Sequence, residues 1–501
     1  MVVKIKRLSG AGVVLMLHLV TGLLVYSQDI PRAVDTAIDA RQLTTQVDAL
    51  VSREMQERHI PGLQLAVVQH GKLVLLRAYG LANLQDSIPV TNQSVFSINS
   101  CTKAFTGVAI MQLVEAGKVD LSAPVSRYLD GLPADWQPVT VRQLLTHVSG
   151  LPNINRVLYP TTAGFLGVKT EDAAWTSIQT LPMDFVTGTQ FSYNQTNYVL
   201  LGKIIDKLTG KPFAQLFAER QFQVARMAST DWGDSREIVA HKAQSYGLTK
   251  NVDGHPLLEV KVTNVFEAFM PFYRTGAGLN STAQDIARWL IALQQDKLLH
   301  TKTALTTLWT AGSYNNGSPT QWALGWVTKP RPAHRAVMAT GGSRSALFVY
   351  PDDALAIVVL TNLAGASPEE FIDELAGLYN PALAAVDAIT TLRMQLRTRG
   401  FAHTTEVARE EKKKNPAFHL PEEDVNDWAY RLMSRGQLTE ATELFKLNVS
   451  LYPASWNAYD SYGEALLKSG QRDQAIDMYQ KSLGLNPANQ GAKKVLDQLS
   501  K

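Results

Sequence analysis

FSINSCTKAF, residues Phe96 to Phe105, sets Ser100 and Lys103 three apart where a helical run, Ala104 to Ala116, begins; Gly117 closes that run. Residues at this spacing share one face of a helix. A serine at a helix start lies beside free backbone N–H groups and the positive end of the helix, which stabilise an oxyanion or an alkoxide. If the lysine is removed from water its charged form is disfavoured, and the neutral amine can accept the serine proton. The competing reading is an N-cap serine followed by a surface lysine. Ser-x-x-Lys occurs once in the chain, and the motif alone leaves both readings open.

Working outward, LQLAVVQHGKLVLLRAYG (Leu63 to Gly80) holds two β-rich runs parted by His70 and Gly71, the pattern of a hairpin. Far downstream, LGWVTKP, HRAVMATGG, SALFVYPDD and LAIVVLTNL, between Leu324 and Leu363, give four more strand-like runs punctuated by Pro, Gly and Asp. The intervening segments are mainly helical, for example Asn197 to Leu208 and Thr282 to Leu293. Strands at both ends of a domain with helices inserted between them predict an α+β fold whose antiparallel sheet is built by both ends.

Two further segments supply chemistry in the right order. FSYNQTNYVLLGKII (Phe191 to Ile205) sets Tyr193 in a turn just before an amphipathic helix, where a phenol can enter a cleft and relay a proton. By itself Tyr193 is equally a half-buried aromatic. MATGGSRSALFVYP (Met338 to Pro351) reads as strand, then Thr340, Gly341 and Gly342, then strand. Glycines on such an edge let a substrate backbone approach and leave N–H groups free to donate, although Thr-Gly-Gly alone is an ordinary turn.

Together, Ser-x-x-Lys, Tyr193 with its following amide, and the Thr-Gly strand resemble the serine hydrolases related to class C β-lactamases and penicillin-binding proteins. LLTHVSGLP (Leu144 to Pro152) and GAGLNSTAQDIARWL (Gly276 to Leu290) are similar to recurrent segments of that family, and the likeness runs from about Leu43 to Tyr379. The resemblance implies a β-lactamase-like fold and an acyl-enzyme on Ser100, with Lys103 as base and Tyr193 as second acid/base. It also implies an oxyanion hole of the Ser100 and Gly342 backbone N–H groups, and substrate contacts from Gln195, Thr340 and Gly341. No cofactor or metal is implied. His147 and Ser149 fall in a structural loop of the family pattern. Two departures, Gln195 for asparagine and Ala339 for the cationic or imidazole position, rank esterase or peptidase work on small-molecule or peptide esters and amides above β-lactam hydrolysis. Arg344 or Arg274 is the expected replacement cation. A D-amino-acid cell-wall peptidase is a narrower variant, and a binding protein that keeps the old pocket, or acts through its C-terminal repeats, is the alternative.

The composition suits this picture. Of 501 residues, 45% are hydrophobic and 19% charged, as in ordinary globular proteins. In residues 1–27, Lys4, Lys6 and Arg7 precede an apolar run from Ala11 to Tyr26 and a small Ser27, which reads as a cleaved secretory signal. Its loss leaves 45 of the 48 Lys and Arg against 45 Asp and Glu, with no basic block for nucleic acid. A secreted, periplasmic protein without a remaining membrane span is expected. Cys101 is the single cysteine, so no intramolecular disulfide forms, and a small packed side chain is its expected role.

Beyond Pro381 the β pattern ends. Gly436 and Gly470, Ala441 and Ala475, Phe445 and Tyr479, and Pro453 and Pro487 are each 34 apart, the period of a helix-turn-helix solenoid unit. This part resembles tetratricopeptide repeats, which implies either a groove for a protein or peptide partner or a brace for the hydrolase domain. The expected organisation is a signal at 1–27, a hydrolase domain at 43–380, a helical linker or degenerate repeat at 381–421, and repeats at 422–501.

Overall fold

The computed structural model describes residues 40–158, 170–252, 255–329, 331 and 333–499; the expected signal segment lies outside them. Seven strands form one antiparallel sheet in the order Ile88–Pro89, Lys72–Asn83, Gly62–Gln69, Leu355–Thr361, Ser345–Tyr350, Ala336–Gly341, Val327–Lys329. The two ends of the domain therefore meet in its middle, where Leu63 to Gln69 pair with Thr361 to Leu355. Leu355–Thr361 is buried along its whole length and Gly62–Gln69 nearly so, which explains why both read as continuous apolar runs without alternation. The expected hairpin turns at His70 and Gly71, with φ of 50° and 71°, the double left-handed conformation that matches strand twist in a two-residue turn.

Helix Thr102–Glu115 crosses the core and is buried from Thr102 through Met111, with Phe105 stacked on Trp289 at 4.0 Å between ring centres. Such all-round burial explains its lack of a polar face. A short single turn, Asn99–Cys101, leads into it. Phe96–Ser97, just ahead, pairs with Leu279–Ser281, so the segment before Ser100 lies beside the segment after Gly276. Helix Gln195–Thr209 starts where the Asn194 side chain accepts from Thr196 N at 2.8 Å, and it ends at Gly210 with φ of 68°. Tyr193 is thereby fixed one residue ahead of the cap. The hairpin of Tyr246–Val252 and His255–Asn264 was not marked by the sequence reading.

From Pro381 the described chain is helical. Ala388–Arg399 and Thr404–Lys414 precede Glu422–Ser434, Leu438–Leu451, Trp456–Lys468, Arg472–Leu485 and Gln490–Leu499. The residues of the 34-residue period sit at turns and helix contacts: Gly436 and Gly470 have φ of 91° and 76°, and Ala441, Ala475, Phe445 and Tyr479 are buried. These helices have their own apolar core, including Leu396, Trp428, Leu444 and Phe445, apart from the core around Thr102–Glu115. Ion pairs join the two. Arg58 lies 2.7 Å from Glu54 and 2.6 Å from Glu370, and Arg435 lies 3.0 Å from Glu370. Arg397 bridges Glu54 and Glu374. Burial alone would raise the Glu370 pKa, but Arg58 and Arg435 outweigh it and hold the carboxyl well below its ordinary value.

Candidate active site

Ser100 is half-buried at the start of the central helix, and its Oγ does not cap that helix. It accepts from Tyr193 Oη at 2.7 Å and lies 3.4 Å from Lys103 Nζ. The N-cap reading is thus set aside. Lys103 is 1% exposed, so the surface-lysine reading falls as well. Its Nζ donates to Gln195 Oε1 at 2.9 Å and to Gly276 O at 2.8 Å, and the rings of Tyr193 and Tyr198 stand 4.6 and 5.0 Å away. Burial drives the Lys103 pKa well below that of an ordinary lysine. Each contact named here is neutral, so no carboxylate in this set balances the loss of hydration.

A neutral amine has two hydrogens and one lone pair. Were the amine unprotonated, its two hydrogens would serve Gln195 and Gly276 and its lone pair would be left for Ser100 Oγ, which lies at the longest of the three distances. The same burial pushes the Tyr193 phenol up, against the opposing pull of its bond to Ser100, and keeps it a proton donor. Gln195 thus brings its amide oxygen to Lys103 despite its longer side chain. Gly276 is what makes room for it, since a Cβ there would stand 2.6 Å from Gln195 Oε1.

The Thr340-Gly341-Gly342 segment closes the other side. A Cβ on Gly341 would stand 2.0 Å from Ile98 O and 3.0 Å from Ser100 N, so the end of this strand lies directly against the backbone that carries Ser100. Gly342 follows with φ of 57°. Ala339 is buried, and Cys101 packs beneath it with its thiol donating to Ala339 O at 3.5 Å. Burial raises the Cys101 pKa, which suits a packed side chain.

His147 and Ser149 form a structural loop. His147 Nδ1 accepts from Asn194 N at 3.1 Å, Ser149 Oγ donates to Asn197 Oδ1 at 2.7 Å, and burial depresses the His147 pKa. The His147 ring lies 4.6 Å from that of Tyr193, and Trp322 lies 5.4 Å from Tyr193, so aromatic rings fix the phenol.

Both expected replacement cations lie against carboxylates of the protein. Arg344 is 3% exposed and lies 3.1 Å from Glu267, and Arg274 is 8% exposed and bonded to Glu237 and to Phe269 O. Each is already matched to a carboxylate within the protein, so neither is a free cation for a substrate. The sequence reading also passed over Asn99, whose φ of 46° is a left-handed conformation immediately before Ser100. The Ser-x-x-Lys motif carries no signal for it beyond the tolerance of asparagine for that conformation.

The chain belongs to the beta-lactamase family of serine hydrolases, whose model matches residues 47–379. It is 24% identical over 349 residues to protein flp of Staphylococcus aureus strain MW2, covering 66% of this chain and about 65% of that protein's length. It is 27% identical over 368 residues to the N-acetylmuramyl-L-alanine amidase of Bacillus subtilis strain 168, covering 66% of this chain and 82% of that protein. Among solved structures, the D-amino acid amidase of Ochrobactrum anthropi SV3 bound to L-phenylalanine amide shares the fold. Its TM-score is 0.57 at 21% identity, over 68% of this chain and 99% of that one. Among the described residues no helix is long and apolar enough to cross a membrane.

Proposed function

We propose that the protein is an exported serine hydrolase that cleaves esters or amides through an acyl-enzyme on Ser100. The observation that carries this reading is the buried Lys103 amine, 3.4 Å from Ser100 Oγ and held by Gln195 and Gly276, with burial driving its pKa well below that of an ordinary lysine. As Ser100 attacks the substrate carbonyl, its proton passes to Lys103, and the oxygen that becomes negative is held by the backbone N–H groups of Ser100 and Gly342. The Tyr193 phenol, hydrogen-bonded to Ser100, passes a proton to the departing alcohol or amine and is recharged from Lys103. Water then releases the acyl group by the reverse proton path.

A buried Ala339 and a carboxylate-paired Arg344 favour acyl substrates without a carboxylate at that end of the cleft, and so esters or simple amides before β-lactams. The likeness to the N-acetylmuramyl-L-alanine amidase of Bacillus subtilis favours amide substrates as the second reading. The C-terminal helices are proposed as tetratricopeptide-like repeats, and their ionic seat against Glu370 supports a brace over a free peptide groove. Export rests on the pattern of residues 1–27.

The test is intact-protein mass after treatment with a fluorophosphonate and, separately, with penicillin. A fluorophosphonate adduct absent in Ser100→Ala is expected. A lasting penicilloyl adduct moves the substrate toward cell-wall peptides, and no adduct with either reagent refutes the hydrolase.

A further inference from the structure

We infer that Glu267 is a positioning residue that ties together the two backbone arms forming the oxyanion hole; the inference rests on the hydrolase reading above. One arm is the residue before Ser100. Asn99 Nδ2 donates to Glu267 Oε1 at 3.0 Å. The other arm is the turn after Gly342. Arg344 Nη1 lies 3.1 Å from the same Oε1, and it donates to Ser245 Oγ at 3.0 Å. Ser245 Oγ in turn donates to Glu267 Oε2 at 2.7 Å, so both carboxylate oxygens are engaged. Glu267 is 6% exposed and its own backbone is fixed, because its N–H donates to Ser235 Oγ at 2.9 Å and its carbonyl accepts from Ser235 N at 3.0 Å.

The arms need such a tie. Both hold a non-glycine residue in left-handed backbone, Asn99 with φ of 46° and, next to Gly342, Ser343 with φ of 51°, and such residues persist there only when their surroundings over-determine them. On the Ser100 side, Asn99 Oδ1 accepts from Ser97 Oγ at 2.8 Å and Asn99 O accepts from Thr102 Oγ1 at 2.6 Å. On the Gly342 side, a Cβ would stand 2.6 Å from Asn99 Nδ2, so the amide of one arm already touches the other. Glu267 pulls Asn99 and Arg344 toward one point. The spacing of the two N–H groups that face a developing negative oxygen follows from that point, although Glu267 itself touches no substrate. Charge-assisted hydrogen bonds of this kind are short and directional, which suits a positioning role.

The test uses the full-length protein with p-nitrophenyl acetate, a substrate small enough to leave binding contacts few. Glu267→Gln keeps an acceptor for Asn99 and removes the charge that holds Arg344. It is expected to lower kcat about 10- to 100-fold, less than the loss of an entire oxyanion-hole donor, with KM within about threefold. Asn99→Gly accepts the left-handed conformation, leaves the Glu267–Arg344 pair intact, and is expected to lower kcat to a similar extent. Should Glu267→Gln fail to fold, Asn99→Gly decides the matter alone. If both fold, the double variant is expected to be no worse than about the weaker single, as residues acting through one contact behave. Wild-type kcat in either folded variant, or losses that multiply in the double, overturns the tie while leaving the hydrolase reading in place. A wild-type protein that forms no Ser100-dependent fluorophosphonate adduct removes that reading, and the tie with it.

Discussion

Replacing Gly341 by alanine tests how closely the end of strand Ala336–Gly341 and Ser100 must be held. The added Cβ would stand 2.0 Å from Ile98 O and 3.0 Å from Ser100 N. Carbon and oxygen in contact sit no nearer than about 3 Å, so the strand end and the Ile98–Ser100 backbone must part by about 1 Å, a misplacement that costs about 10²-fold in rate at a preorganised site. In barrier height that is about 2.7 kcal/mol. Neither partner is a flexible side chain that can swing aside: Ile98 is fully buried and pairs through its N–H with Leu279 O at 3.0 Å. Steady-state kinetics on p-nitrophenyl acetate, with a thermal melt on the same preparation, give the answer. The expected outcome is a kcat loss near 10²-fold, the Gly342 N–H having moved with the strand. A folded Gly341→Ala with kcat within about threefold of wild type refutes the argument that this contact sets the oxyanion geometry.

Three further predictions follow from the same contacts. Because burial holds Lys103 well below the ordinary lysine pKa, kcat/KM should rise with pH through a limb below that range, and Lys103→Met should abolish turnover. The folded state also binds this proton less tightly than the unfolded chain does. Stability should therefore fall as pH drops from lysine's ordinary pKa toward the depressed one, a dependence that Lys103→Met flattens in pH-resolved denaturant melts. Glu370→Gln leaves Arg435 buried without its carboxylate and Arg58 with Glu54 alone, and should destabilise the protein by about 3–5 kcal/mol, read as a lowered denaturant midpoint. Cys101, buried and with its thiol pKa raised, should resist Ellman's reagent until the protein is unfolded; rapid labelling of the native protein contradicts its packing.

The segments that carry local periodicity were legible in the sequence. The His70–Gly71 hairpin, the four late strands and the helix after Ser100 follow from patterns within a few residues, and the two-ended sheet follows from where those patterns lie. Ser100, Lys103 and Tyr193 were legible because each sits at a start or turn next to a strongly patterned helix. What the sequence hid is pairing at a distance. Glu267 meets Asn99 across 168 positions, and Gly276 O meets Lys103 across 173, with no periodicity to announce either contact. The carboxylates beside Arg344 and Arg274 were hidden for the same reason, since Glu267 and Glu237 meet them only in the fold. Gln195 was read as an amide displaced from its place, yet backbone position compensates for one methylene and brings Oε1 within 2.9 Å of Lys103.

The ionic seat around Glu370 has a kinetic consequence. Glu54 and Arg58 lie on the first described helix, Ala40–Arg58, while their partners Glu370 and Arg397 lie more than 300 positions later. The central strands Gly62–Gln69 and Leu355–Thr361 are separated by a similar stretch. During synthesis the Glu54–Arg58 pair lacks its later partners, and the early strand has its hairpin neighbour Lys72–Asn83 alone, until nearly all of the hydrolase domain, and part of the helical tail, has emerged. Closure over so many residues makes folding slow and leaves the chain open until a late step. Once that step occurs, the earliest and latest segments lock one another, and the finished molecule should lose them together rather than fray from one end.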